Sequence, residues 1–463
     1  MDSTLACLAA WMPRQRWYAA KGRPPSLRLV SWWDLGESGA AEAAGVPAGG
    51  DVRVRTFLVA DEGSLPAVLY QIPVVERATE TVHADAAHLI GSPVPGTTFI
   101  DGPHDPAYAA ALLRLVAGGG SARGPQTVAI GHPVAAARVE DRPSQVVSGE
   151  QSNTSLIYEG PGVPVICKVY RQLHPGLNPD IELQEALAAA GSAHVPRPIG
   201  WLEGAWPDPD TTGVVHGSLA FAQEFLPQVE DAWRVALRAA ATGEDFRDAA
   251  RALGTATADV HLSLAECFPT RAASAGDRDA AAATWERRLA IAIAEVPELA
   301  PLREAAEAVY RRALEVPWPA LQRIHGDYHL GQVLHSPERG WVLLDFEGEP
   351  LRPMVERTQP DFALRDVAGM LRSFDYVAGS LRLDDPDRSA DAVRAWAREA
   401  RHAFVDGYAA ASGGLDPRHP LLAALELDKA VYEAIYEARN RPTWVAIPLS
   451  AVARLVERPA PVV

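Results

Sequence analysis

The chain has 463 residues, 48% of them hydrophobic, and a formal net charge of −16. That length exceeds what one hydrophobic core usually supports, so two or three domains are expected. The acidic balance argues against a nucleic-acid backbone as partner, and no apolar run is long enough to span a bilayer. Cys7, Cys167 and Cys267 are few and scattered, with neither a metal-ligand spacing nor a disulfide framework. The first residues lack a basic segment ahead of a long apolar stretch, so no signal peptide is expected. A soluble cytoplasmic protein follows. Nothing in the sequence speaks to oligomeric state.

The first ninety residues read as a unit of their own: a leading helix and a small sheet, with Trp11, Trp17, Trp32 and Trp33 concentrated in it. Leu27–Val30, Val52–Val59 and Ala67–Val74 have strand patterns, and Pro47 to Gly50 punctuates between them. From about Ala107 the pattern is helical. Gln145–Ser148 and Leu156–Tyr158 then read as strands around a small polar turn, followed by a third strand at Val163–Tyr170. Asn178 suits a helix N-cap, with Pro179 at the first helical position and a run to Gly191. Phe221–Pro227 reads as a strand ending at proline. Beyond it the apolar period predicts helices over 245–264, 280–294, 364–376, 390–411 and 421–439.

Two short segments interrupt this helical part. One runs Ile324-His325-Gly326-Asp327-Tyr328-His329-Leu330-Gly331-Gln332, the other Val342-Leu343-Leu344-Asp345-Phe346-Glu347-Gly348. Each begins apolar, as a buried strand end would, and then turns to carboxylates. Either tripeptide alone suits an ordinary turn. Together and in this order they match the needs of phosphoryl transfer, one carboxylate beside the attacking hydroxyl and others holding magnesium on the phosphates. Asp327 fits the base, and Gln332 and Asp345 fit as oxygen ligands for a hard cation. His325 and His329 are expected to hold the loop through hydrogen bonds to its backbone and to Asp345.

A phosphotransferase also needs nucleotide-binding parts upstream. Lys168 lies inside an apolar strand, where an unpaired charge is costly. A kinase sets such a lysine on the nucleotide phosphates and orients it with a helix glutamate. Glu182 is the expected partner, with Glu185 as the alternative. Ser152, Asn153 and Thr154 stand where a phosphate-covering loop belongs, though without its glycines. Gln223 and Phe225 fall where a hinge backbone would meet the adenine edge.

This order of residues resembles the aminoglycoside-phosphotransferase-like kinases, relatives of the eukaryotic protein kinases. More specifically it resembles actinobacterial maltokinases and glucosamine kinases. The segments that carry the likeness are Pro13 to Arg23, His329 to Leu334, Asp345 to Pro350, Leu364 to Tyr376 and Tyr436 to Pro442. The resemblance implies an α+β, bilobal protein-kinase-like fold. It implies an N-terminal cap subdomain (1–90), an intermediate nucleotide-binding subdomain (91–226) and a mainly helical C-terminal lobe (227–463) with the sugar site. It also implies ATP and Mg²⁺.

The acceptor lobe offers Asp366, Arg372, Glu433, Tyr436, Glu437, Arg441 and Trp444 to a sugar, Glu433 and Glu437 being four apart on one helix face. The stretch Thr358 to Ala363 and the segment around Glu426, Asp428 and Lys429 depart from the maltokinase pattern in the acceptor lobe, so glucosamine is the expected acceptor and maltose, giving maltose 1-phosphate, the alternative. A catalytically silent binding protein on the same fold is a third reading. The intact set Lys168, Asp327, Gln332 and Asp345 speaks against it.

Overall fold

The computed structural model describes residues 2–35, 52–64, 66–134, 142–147, 152–209, 211–349, 352–414, 416 and 418–457. The expected turn at 47–50 and residues 148–151 of the expected phosphate loop lie outside these. The chain forms two compact units, one of residues 1–185 with 196–227, the other of residues 186–195 with 228–463.

The first unit is built on a sheet of thirteen strands among the described residues. From one edge it runs Leu89–Gly91, Thr97–Asp101, Val68–Ala78, Arg53–Asp61, Leu27–Asp34, Gly120–Arg123, Val128–Pro133, Pro198–Pro207, Val214–Glu224, Val165–Tyr170, Asn153–Tyr158 and Ser144–Val146. Gln172–Leu173 pairs with Val68–Ala78 off this path. The sheet thus passes without a break through both segments that the sequence divides at residue 90. Strands expected from the pattern are present, most of them longer than the pattern showed. The middle of the sheet, 120–133 and 198–207, was not expected.

Two cores flank this sheet. Asp2–Trp11 and the turn after it bring Leu8, Trp11, Trp17 and Tyr18 onto Phe57, Tyr70 and Ile72. The helix Pro106–Gly118, capped by Asp105, buries Leu112 and Val116 with Leu202, Phe221 and Cys167. Burying one such leucine or valine contributes about 1.5–3 kcal/mol. Alternation along Val165–Tyr170 sends Val165, Cys167 and Val169 into that core and leaves Lys168 on the opposite face.

The second unit is mainly helical, with Ala232–Thr242, Arg247–Cys267, Ala275–Glu295, Arg303–Leu314, Ala363–Asp384, Ala390–Ala411, Pro420–Asn440 and Ala446–Glu457. The five helices expected here are present, each to within a few residues except 363–384, which runs two turns further. A small antiparallel sheet of Glu230–Asp231, Val333–Ser336 and Gly340–Leu343 carries the two carboxylate segments. Asp327 precedes its middle strand, and Asp345 follows its last. No helix among the described residues is long and apolar enough to cross a membrane.

Candidate active site

In the first unit, Lys168 Nζ donates to Asp180 Oδ2 at 3.0 Å. Asp180 is 1% exposed, and its other oxygen accepts from Gln184 at 2.6 Å. The expected cap forms: Asn178 Oδ1 accepts the Asp180 N–H at 2.8 Å and opens the helix Pro179–Ala189. The sequence named Glu182 for this pairing; Asp180, two residues earlier, is a carboxylate that meets the lysine and is braced by Gln184. Glu185, the alternative, accepts a hydrogen bond from the Trp201 side chain, and burial raises its pKa.

The neighbouring nucleotide residues also need correction. Thr154 is 8% exposed, and its hydroxyl accepts from Arg171 Nε at 2.9 Å, so it faces inward. Asn153 pairs with Tyr170 in the sheet, and Ser152 is exposed beside the undescribed 148–151. The Phe225 N–H, named for an adenine edge, is donated to the Pro164 carbonyl at 2.8 Å, which continues the ladder. Gln223 is half-buried opposite Ile166, and its Oε1 has no hydrogen-bond partner among the described residues.

In the second unit, Asp366 organises the loop that presents Asp327. It is 1% exposed and accepts the His325 N–H at 2.8 Å, the Gly326 N–H at 2.9 Å and His261 Nε2 at 3.1 Å. Burial would raise its pKa. The hydrogen bond and charge of His261, with His325 and the Gly326 N–H, hold it below the ordinary aspartate value instead. Asp366 therefore anchors the loop, and it also lines the cleft beside Asp327, with three of its acceptor positions taken by the protein. Ser373 Oγ accepts the Leu330 N–H at 3.1 Å, and the Tyr328 and Thr257 hydroxyls meet at 2.8 Å. His325 Nε2 donates to the Leu344 carbonyl at 2.8 Å, tying the base loop to the residue before Asp345 rather than to the Asp345 carboxylate. His329 does hold backbone, its Nδ1 accepting the Gly331 N–H at 3.0 Å.

Gln332 Nε2 donates to Asp345 Oδ2 at 2.9 Å, so the two expected metal ligands meet. Asp345 has φ +64°, a left-handed conformation held by its surroundings. Gly326 and Gly348 also have positive φ, and a Cβ at Gly326 would lie 3.1 Å from Gly348 Cα. The loop of Asp327 and the loop of Asp345 touch through these two glycines.

Asp327 is about a fifth exposed and borders a cleft with Arg288, Glu349, Asp428, Lys429 and Tyr432. Lys429 Nζ stands 3.9 Å from Asp327 Oδ1 and 3.6 Å from Glu349 Oε1. Burial would lower the lysine pKa, but Glu349 and Asp327 hold it above its ordinary value, so the side chain is an ammonium. Burial would likewise raise the Glu349 pKa, but Lys429 and Arg352 hold it down.

Two family models match this chain: the maltokinase N-terminal cap domain over residues 11–105 and the phosphotransferase enzyme family over residues 144–421. The chain belongs to the phosphotransferase enzyme family. It is 33% identical over 330 residues to a glucosamine kinase of Streptacidiphilus jiangxiensis, covering 67% of this chain and 73% of that one. It is 30% identical to a glucosamine kinase of Mycolicibacterium smegmatis, covering 68% and 80%. A solved glucosamine kinase in complex with glucosamine, ADP and inorganic phosphate is similar over 97% of this chain and 98% of its own, with a TM-score of 0.68 and 26% identity.

In this phosphotransferase the other expected sugar residues form one cluster. Arg372 is 1% exposed and donates to Glu433 at 2.8 Å and to Asp375. Glu437 is equally buried and accepts from the Tyr376 hydroxyl at 2.9 Å and from Arg441 at 2.6 Å. Arg441 lies over Trp444, 4.5 Å from the ring centre, and over the exposed Tyr436. Guanidinium groups thus already engage Glu433 and Glu437. Sequence reasoning marked the segment of Asp428 and Lys429 only as a departure from the maltokinase pattern, and it passed over Glu349 and Arg288 as cleft residues. One signal was available: a lysine within the apolar period of the helix Pro420–Asn440.

Proposed function

We propose that this kinase transfers the γ-phosphoryl group of ATP, with magnesium, to a hydroxyl of glucosamine. The supporting observation is the likeness, over 97% of the chain, to a glucosamine kinase holding glucosamine and ADP, joined to a base-bearing loop that opens into a polar cleft. Asp327 accepts the proton of the acceptor hydroxyl. Lys168, paired with Asp180, binds nucleotide phosphates. The loop anchors at Asp366 and Ser373 keep Asp327 in one place, which favours an in-line attack.

The donors at Gln332 and Asp345 suit magnesium. Gln332 meets Asp345 through its amide nitrogen, and turning the amide over would bring its oxygen beside the Asp345 carboxylate as a second ligand for the ion. The ion would neutralise phosphate charge as it develops.

A protonated amine is best held by a desolvated carboxylate. With Asp366, Glu433 and Glu437 already engaged, Asp428 is the better candidate. It is 2% exposed and borders the cleft, Oδ2 pairs with Arg288, and Oδ1 has no hydrogen-bond partner among the described residues. The maltokinase-type cap over residues 11–105 keeps maltose as the second reading. The test is kcat/KM for glucosamine, glucose, N-acetylglucosamine and maltose under one set of conditions. Glucosamine is expected to be best and N-acetylglucosamine, uncharged and bulkier, poor. Maltose as the best substrate would overturn the choice of sugar and leave the kinase standing.

A further inference from the structure

The chain contains three lysines, Lys21, Lys168 and Lys429, against forty arginines. Lys21 is exposed and donates to the backbone carbonyls of Pro13 and Gln15, whereas Lys168 and Lys429 face carboxylates. Arginine and lysine differ in shape: a guanidinium is a planar fork that grips a carboxylate with two hydrogen bonds, whereas an ammonium is a compact point charge with three donors.

Lys429 sits in the cleft that Asp327 borders, with about a third of its side chain exposed. Other cations of this cleft approach carboxylates more closely. Arg288 donates to Asp428, and Arg365 donates to Asp361 at 2.7 Å. Lys429 instead stops 3.9 Å from Asp327 and 3.6 Å from Glu349, with the Tyr432 ring 5.4 Å away. Among the described residues its ammonium donates no hydrogen bond. An ammonium with open donors, facing a carboxylate across a gap that one oxygen can bridge, is arranged for a third group. An oxygen about 2.8 Å from both would donate to Asp327 and accept from Lys429.

We propose that Lys429 is a catalytic residue whose ammonium donates a hydrogen bond to the acceptor oxygen while Asp327 takes that oxygen's proton. In the transfer step the O–H proton passes to the Asp327 carboxylate, and an oxygen electron pair forms the new bond to the γ-phosphorus. The bond from that phosphorus to the bridging oxygen breaks, and ADP leaves with the pair. Lys429 stays protonated throughout and holds the oxygen in line while it loses its proton. An arginine at 429 would close on Asp327 as a two-pronged pair and occupy the place of the hydroxyl. The proposal rests on Asp327 as base and does not depend on which sugar is the acceptor.

The experiment uses the full chain with Lys429→Met, Lys429→Arg and Lys429→Cys, and Asp327→Asn as the reference. Lys429→Met is expected to lower kcat for sugar phosphorylation about 10²–10³-fold, the range for loss of one positioned donor. ADP affinity by calorimetry should stay within about threefold. Lys429→Arg should recover less than a tenth of the lost rate, although it keeps the charge. Lys429→Cys should regain activity after alkylation with 2-bromoethylamine, which restores an ammonium at nearly the lysine length. Wild type taken through the same reaction controls for Cys7 and Cys267. Wild-type turnover in Lys429→Met or in Lys429→Arg would overturn the proposal, as would a Cys variant that aminoethylation leaves inactive while its ADP binding is normal. If Asp327→Asn is inactive in the same assays, only the role of Lys429 fails. If Asp327→Asn is fully active, the base assignment fails first.

Discussion

The chain keeps one lysine in each chemically active region, and the two are held in opposite ways. Lys168 is closed: Asp180 meets it at 3.0 Å, and Asp180 is itself fixed by Gln184 and a helix cap. Lys429 is open, 3.6 and 3.9 Å from its two carboxylates. A lysine that grips a phosphate needs one fixed place, and a buried carboxylate supplies it. A lysine that shares an oxygen with a base must leave room for that oxygen. The difference separates a site that is complete in itself from one that the substrate completes.

The strongest way to break this comparison is to remove the base. Asp327→Asn keeps the shape and deletes the charge, so kcat should fall by about two to four orders of magnitude with ADP affinity retained. Turnover near that of wild type in the purified variant would end the assignment. The closed pair is tested by Asp180→Asn. Its expected effect is a rise in the KM for ATP of roughly tenfold or more, from the loss of a charge-assisted hydrogen bond, with the KM for sugar nearly unchanged. If both constants move together, the pair is not specific to the nucleotide. The smallest effect should come from Asp428→Asn. We expect the KM for glucosamine to rise about tenfold and that for glucose to change less than threefold, since only the first sugar loses a charge-assisted contact. Equal changes for both would mean that Asp428 does not read the amine.

The meeting of Gln332 with Asp345 and the place of Asp327 at a cleft were legible in the sequence because each segment carries its pattern within a few neighbouring residues. Lys429 was not, because its meaning comes from Asp327, far away in the chain and brought close only by packing of the helix Pro420–Asn440. Asp366 was seen, but its hold on the Asp327 loop was not. A carboxylate that binds backbone N–H groups looks, in sequence, like one that binds a ligand. The part of Asp180 in holding Lys168 depended on which helix face meets the strand, and several acids in one turn do not reveal it. The strand Pro198–Pro207 was missed for a plainer reason. Its inward positions are Pro198, Gly200, Leu202, Gly204 and Trp206, so three of five carry no apolar signature of a strand. Helices of the second unit were easier to read, because their apolar period repeats over twenty residues or more in Arg247–Cys267, Ala363–Asp384 and Ala390–Ala411.

The contact of Gly326 with Gly348 bears on how this enzyme can be altered. With 3.1 Å between a Cβ at 326 and the Gly348 Cα, a Cβ at 348 meeting Arg357 at 3.3 Å, and positive φ at both, any side chain at 326 presses on the second loop and one at 348 presses on Arg357. The two loops then cannot be shuffled separately. A graft of either loop from a homologous enzyme has to carry its own glycine and meet the other across the same gap. A combinatorial library randomised at both positions should return glycine most often at 326 and 348, with Asn or Asp as the exceptions.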